Sequence, residues 1–305
     1  MEPVDISVIL VLRDRAETVP TTLAHLEQQT LPAARFEIVA VDHGSVDGTL
    51  GVLERYAIGA PVRFQVLDAN PGNFARARNL ATDRARGKWL VFLDQDVLAS
   101  PNLLDRYMRE FETEPTHPFL LGRVALHPQI PPHVLTRRFI DDDTSRTLDP
   151  EKLHPTDWHG YNFGMSRALL RDQGGFDEQM RGPEFLEVAL AHRLSERGVH
   201  GRLAQKAVVY EWQKAEFDAE RARCYARGHA FHALEHGIGE PGATPLRPAT
   251  IPAWAPHRFM MPFYVRACHD AEGDLRYAGG LFRRVLQHDQ QRGYSDARKG
   301  RLRRG

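Results

Sequence analysis

The sequence predicts an α/β protein whose mostly parallel sheet carries helices on both faces. Three observations point there. Short apolar runs alternate with helix-period segments through the first 125 residues, the pattern of strand–helix–strand crossovers. Two of the runs lead into Asp42 and Asp94, at the strand carboxyl ends where ligands of such sheets sit. The composition, 42% hydrophobic and 26% charged over 305 residues, is that of an ordinary globular chain, and no internal repeat competes with the alternation.

Each element has its own signal. Ile6 to Leu12 is the first apolar run. Thr21 to Gln29 has helical period, with Leu23 and Leu26 on one side and Thr22 and Gln29 facing away. Phe36 to Val41 is the second run, followed by a helix from Thr49 to Tyr56 with Leu50, Leu53 and Tyr56 in register. Val62 to Leu67 is a third strand, Ala75 to Arg86 a helix, Trp89 to Leu93 a fourth strand and Asn102 to Phe111 a helix. Leu120 to Leu126 is a fifth strand. Residues 127–159 hold five prolines and the acidic run Asp141-Asp142-Asp143, and read as a long irregular excursion. Beyond it come a helix from Glu184 to Arg197, a short strand from Lys206 to Tyr210 and a longer helix from Ala215 to Gly237. Residues 239–262 read as an extended Pro/Gly strap, and Leu275 to His288 as an amphipathic helix. The expected division is one domain over 1–236, with a first half to about 126 and a second half after it, then a 237–305 extension.

Charge and cysteine content exclude several classes. The net charge is zero, so no global pull toward nucleic acid exists and no nucleic-acid partner is expected. Two cysteines, Cys224 and Cys268, make no disulfide framework and suit a reducing compartment. Glu2 and Asp5 precede the first apolar run, unlike a signal peptide, and no apolar stretch approaches ~18 residues. A cytoplasmic protein is expected. Its last eight residues, Arg298 to Gly305, hold five bases and no acid. That tail is either a solvated terminus or a weak contact with the inner face of the membrane.

The segment Asp94-Gln95-Asp96 directly follows Trp89-Leu90-Val91-Phe92-Leu93. Carboxylates at i and i+2 beyond a buried strand can reach one hard cation, Mn²⁺ or Mg²⁺, which shares its oxygen ligands with a substrate phosphate. Asp is also common at strand ends for turn reasons alone.

With further segments in order, the chain resembles the family-2 glycosyltransferases of the GT-A fold over roughly residues 4–236. These are Ile6-Ser7-Val8-Ile9-Leu10, Gln28-Gln29-Thr30, Phe36 to Asp42, and Gly44-Ser45-Val46-Asp47-Gly48-Thr49. Asn70-Pro71-Gly72-Asn73 with Ala77-Arg78-Asn79 and Gly87 follows, then the Asp-x-Asp segment and Gly174-Gly175-Phe176-Asp177-Glu178. The resemblance implies a Rossmann-like sheet and a nucleotide-sugar donor, most simply a UDP-sugar. It also implies Mn²⁺ or Mg²⁺, and transfer with inversion to an acceptor hydroxyl. Asp42 would meet the nucleobase, the alternative being a plain turn-initiating Asp. Val11, Arg13, Asn73, Arg78, Asp94, Gln95, Asp96 and Asn162 complete the implied donor set, with metal at Asp94 and Asp96. Asn162 is equally a strand-end residue satisfying its own backbone.

Three departures stand at this site. The family's Glu-Asp register falls on Leu186-Glu187, so Glu187 is the base candidate, one methylene longer than Asp, with Glu184 as runner-up. A helix-N-terminal Glu stabilised by the dipole is the structural alternative. His43 replaces an Asp, and Glu211 stands where many members place a metal-binding His. A weakened nucleotide-sugar-binding or scaffold protein is therefore the alternative to an active enzyme. A nucleotidyltransferase would want a Gly-rich loop where Arg13-Asp14-Arg15-Ala16-Glu17 has no glycine. The acceptor, whether glycan, lipid, peptide or small metabolite, is open. Gly237 to Gly242 matches Gly-x-Gly-x-x-Gly without the strand–helix context that dinucleotide binding needs. His229, His232 and His236 share a helical face and read as an Arg/His-rich exposed surface rather than a zinc site.

Overall fold

The computed structural model describes residues 4–70, 72–113, 119–130, 152–180, 185–212, 216–237, 260–270 and 279–299. Its strands are β1 (Ile6–Leu12), β2 (Phe36–Asp42), β3 (Arg63–Asp68), β4 (Trp89–Leu93), β5 (Val97–Ala99), β6 (Phe119–Leu126), β7 (Asn162–Ser166) and β8 (Arg202–Glu211). They form one sheet in the order β3-β2-β1-β4-β7-β6-β8-β5. The helices are α1 (Val19–Glu27), α2 (Thr49–Gly59), α3 (Phe74–Arg84), α4 (Leu103–Thr113), α5 (Arg167–Asp172), α6 (Leu186–Glu196), α7 (Phe217–Gly237), α8 (Met261–Asp270) and α9 (Gly279–Arg298).

β3, β2, β1 and β4 are parallel throughout, as right-handed crossovers through helices require. β1, β2 and β4 are buried along their whole length, which is why they read as continuous apolar runs. Antiparallel β7 then joins β4 to β6, and β5 closes the far edge against β8. Phe92 on β4 stacks on Phe163 of β7 at 4.7 Å, and Trp89 stacks on Phe111 of α4 at 4.1 Å. At the amino ends of the strands, Glu37 is fully buried. It accepts from Ser7 Oγ (2.7 Å), Gln65 Nε2 (3.0 Å) and the Arg86 N–H (2.6 Å). That network ties β1, β2, β3 and the approach to β4 at the end opposite the Asp42 turn.

One expectation changes here. Thr22 and Gln29 do not face away. Thr22 is buried, with its hydroxyl on the Gln95 carbonyl at 3.4 Å. Gln29 donates to Ser100 O at 2.8 Å and accepts from the Leu104 N–H at 3.0 Å, so it fastens α1 to the start of α4. The described residues fall into two compact units, and α7 lies in the second with α8 and α9. α7 and α9 cross closely. Gly228 and Gly293 let the two backbones approach so closely that a Cβ on either would strike the facing helix. Arg221 also pairs with buried Asp289 at 2.8 Å. Residues 239–259 of the expected strap lie outside the described residues.

Candidate functional site

The carboxyl ends of β2, β1 and β4 lie side by side. β1 separates Asp42 from Asp94, so strand spacing sets these two strand ends about 10 Å apart, the span of a nucleoside.

Asp42 ends β2 and is buried. Its Oδ2 accepts from the Gly44 and Ser45 N–H groups, both at 3.1 Å. Gly44 allows that turn by adopting φ 77°, the left-handed region where a Cβ is penalised. The second oxygen, Oδ1, is buried without a hydrogen-bond partner among the described residues. An acceptor held out of water this way is uncommon and costly. Beside it, burial and then the charge of Arg13 lower the pKa of His43, against the pull of Asp42, so the imidazole is neutral at pH 7.

The loop after β1 is stitched to the loop after β2. The Asp14 N–H donates to Ser45 Oγ (3.0 Å), Arg15 N–H to Thr49 Oγ1 (2.7 Å) and Ala16 N–H to Asp47 Oδ2 (2.9 Å). Asp14 itself sits at φ 52° and accepts from the Val46 N–H at 2.8 Å. Hydrogen bonds from the Thr49 hydroxyl and the Ala16 N–H hold the Asp47 carboxyl below its ordinary pKa.

The Asp-x-Asp segment turns from β4 into β5. The Asp94 N–H donates to Tyr161 O at 3.0 Å, and Asp94 Oδ1 accepts from the Gln95 N–H at 2.8 Å. Gln95 Oε1 accepts from the Arg13 N–H at 2.8 Å, so the first loop is fastened to this turn as well. Asp96 is gripped by Arg15 through Nε–Oδ1 at 2.6 Å and Nη2–Oδ2 at 2.9 Å. Arg13 is different: its backbone makes the loop, and its side chain is largely exposed beside Asp14. Val11 is buried, one residue from the carboxyl end of β1 and opposite Val41.

Do these residues fit a divalent cation? Glu211 ends β8 opposite Val97, the residue after Asp96, and is buried. Among the described residues no three of His, Cys, Asp and Glu gather into a metal-holding group. Two carboxylates without a protein cage match a metal that takes its remaining ligands from a diphosphate and water, as Mg²⁺ commonly does. Asp94 and Asp96 fit that kind of ion.

Arg78 and Glu187 lie where the resemblance did not put them, on each other. Arg78 Nη1 donates to Glu187 Oε1, and both side chains are about 5% exposed or less. The guanidinium stands over Phe74 at 4.7 Å and Phe176 at 5.1 Å, with Phe163 and Phe92 within 6 Å. The charge of Arg78 is thus spent, under these aromatic rings, on an anion of its own chain. Glu187 Oε2 makes no hydrogen bond among the described residues. Gly160 lies against the pair, where a Cβ would come within 2.7 Å of Oε1. Glu184 lies outside the described residues.

Asn73 and Asn162 also carry roles in the fold. Asn73 caps α3, accepting from the Arg76 N–H at 2.8 Å, and donates to Glu178 O at 2.7 Å. Asn79 brackets Phe176 through both its N–H and its C=O. The Asn-rich segment and the Gly-Gly-Phe-Asp-Glu segment are thus one unit, closed by Arg193 on Gln173 O and Gly175 O. Asn162 is completely buried. It accepts from Tyr107 Oη at 2.8 Å and donates to Arg123 O (3.1 Å) and Ala207 O (3.0 Å). Burial keeps the Tyr107 phenol protonated and so a donor. With both polar atoms of its side chain engaged, Asn162 is a clip within the fold. His229 lies 3.2 Å from Tyr225 Oη, and the His236 side chain is outside the described residues.

Sequence reasoning missed Arg15, Asp47, Thr49 and Gly160. The Arg13-Asp14-Arg15-Ala16-Glu17 loop holds two bases and two acids, so its charge does not single Arg15 out.

The profile of Glycosyl transferase family 2 matches residues 7–174, more than half of the chain. The chain belongs to glycosyl transferase family 2. Among curated relatives, YfnE of Bacillus subtilis, an uncharacterized glycosyltransferase, is 36% identical over 108 residues, covering 35% of this chain and 27% of its own. The validoxylamine A glucosyltransferase of Streptomyces hygroscopicus subsp. jinggangensis is 26% identical over 222 residues, 64% of this chain and 52% of its own. The chain thus spans about half, or less, of these relatives. Among solved structures, the mannosyltransferase PcManGT from Pyrobaculum calidifontis, in complex with GDP-Man and Mn²⁺, superposes with TM-score 0.60 at 17% identity. It covers 98% of this chain and 75% of that one. S. aureus TarS with UDP superposes with TM-score 0.52 at 16% identity, over 98% and 93% of the two chains. These likenesses establish the GT-A fold. No described helix is long and apolar enough to cross a membrane.

Proposed function

We propose that this family member transfers a sugar from a nucleotide-diphosphate donor, a UDP-sugar by preference, to an acceptor hydroxyl with inversion. The observation that carries the reading is the placement of the unpartnered Asp42 Oδ1 and the Asp94–Asp96 turn at neighbouring strand ends. A nucleobase N–H would satisfy Asp42 Oδ1, while the diphosphate lies toward Asp94 and Asp96. A divalent cation bound at Asp94 and Asp96 with the diphosphate would supply Lewis-acid neutralisation of the leaving group. Glu187 would receive the acceptor proton on Oε2, with Arg78 fixing Oε1 as a positioning residue. In a single displacement the acceptor oxygen bonds to the anomeric carbon as the bond to the diphosphate oxygen breaks. The acceptor's proton ends on Glu187.

A thermal-shift panel of UDP, GDP, dTDP, CDP and ADP, each with and without Mn²⁺, tests the donor. A nucleotide at ~100 times its Kd adds about 2.7 kcal/mol, a shift of several degrees. One nucleotide should stand out, with its metal-dependent part lost in Asp96→Ala. Glu187→Gln should retain that shift while turnover falls about 100-fold or more. A flat panel in the wild-type protein overturns the reading.

A further inference from the structure

The loop after β1 carries a cation that the proposed chemistry leaves unused. We propose that Arg15 is an internal counter-ion for Asp96 that changes partner when the donor arrives, making metal and nucleotide binding mutually dependent. This deepens the reading above and rests on it.

The geometry is a fork-to-fork pair, with Nε on one carboxylate oxygen at 2.6 Å and Nη2 on the other at 2.9 Å. Its base is anchored. The Arg15 N–H is held by Thr49 Oγ1 at 2.7 Å, the flanking Ala16 N–H by Asp47 at 2.9 Å, and Arg15 Nη1 donates to Asp14 O at 3.0 Å. The Arg13 N–H grips Gln95 Oε1 at 2.8 Å, so the loop is tied to the turn that carries Asp96. The pair is not sealed: the side chains keep 28% and 17% of their exposure. It is preorganised yet accessible to solutes.

A divalent ion approaching Asp96 alone meets both oxygens already occupied and a like charge at hydrogen-bond distance. A nucleoside diphosphate alters this balance, because its phosphate oxygens offer the same guanidinium fork another acceptor. Arg15 can then leave Asp96 to the metal while neutralising the diphosphate. Binding of each species lowers the cost of binding the other, and the coupling must be reciprocal.

The test is Mn²⁺ binding to the full chain, read by the electron paramagnetic resonance of free Mn²⁺, alone and with UDP or GDP. Wild type should bind Mn²⁺ weakly alone and about tenfold or more tightly with the nucleotide it accepts. In Arg15→Ala the affinity for Mn²⁺ alone should rise about threefold to tenfold, because both the competing pair and its like charge are gone, and the nucleotide-linked gain should shrink. Arg15→Lys keeps the charge without the fork and should retain part of the coupling. A melting curve for each variant confirms folding. If Arg15→Ala binds Mn²⁺ no more tightly than wild type while nucleotide still recruits the metal, the counter-ion role is overturned and the donor site stands. If no nucleotide binds wild type or variant, both readings fall together.

Discussion

Two Arg–carboxylate pairs of this protein face opposite demands. Arg15–Asp96 is part-exposed and built from loop residues. Arg78–Glu187 is buried under four aromatic rings and joins α3 to α6 across 109 residues of sequence. The same chemistry therefore does different things in different surroundings. In water's reach an ion pair contributes little to stability and can exchange partners. Out of water, breaking it strands a charge.

The largest test of this contrast is Arg78→Ala, which leaves Glu187 uncompensated. It should cost about 3–5 kcal/mol, lowering the melting point by roughly 10 °C. The double variant Arg78→Met with Glu187→Leu should regain most of that, since apolar replacement of both partners is often neutral. A single variant that melts like wild type would refute the buried clamp. Next, Asn162→Ala should cost about 1–3 kcal/mol in urea unfolding, because Tyr107, Arg123 and Ala207 each lose a partner. A similar cost, about 1–3 kcal/mol, is expected for Gly160→Ala, whose Cβ would crowd Glu187 and Arg78. Arg15→Ala, by contrast, should change stability by less than about 1 kcal/mol. A larger loss would make the two pairs alike.

The smallest effect concerns Asp47. Its folded pKa lies below the ordinary 3.8, so its contribution is present above that value and is lost as pH falls through the folded one. Amide exchange at Ala16 and Thr49 should therefore quicken below pH ~3.8. Asp47→Asn should remove that dependence. Unchanged exchange on acidification would show that the loops are held by other contacts.

Much of the fold was legible in the chain. β1, β2 and β4 announce themselves because strands covered on both faces must be apolar along their length. The strands that join antiparallel were harder to see. β5 has three residues, and β7 is a five-residue strand interrupted by Gly164 and bounded by Asn162 and Ser166, with no continuous apolar run. Among site residues, Asp42, Asp94 and Asp96 lie at the expected strand ends, because strand ends are where loop polar groups escape the core. Asn73, Arg78 and Asn162, expected as donor contacts, each also carry a structural role that the sequence did not show. A polar residue in a recurrent segment looks the same in sequence whether it meets substrate or a buried carbonyl.

What the sequence determined by itself is the local pattern: apolar runs, helical periods, turn glycines, carboxylates after strands, and with them the family. What only the tertiary structure decided is which charge meets which. Arg15 reaches Asp96 across 81 residues and Arg78 reaches Glu187 across 109. Neither pairing is encoded by spacing, since strand order and helix packing bring such groups together, and burial then sets whether the contact can open.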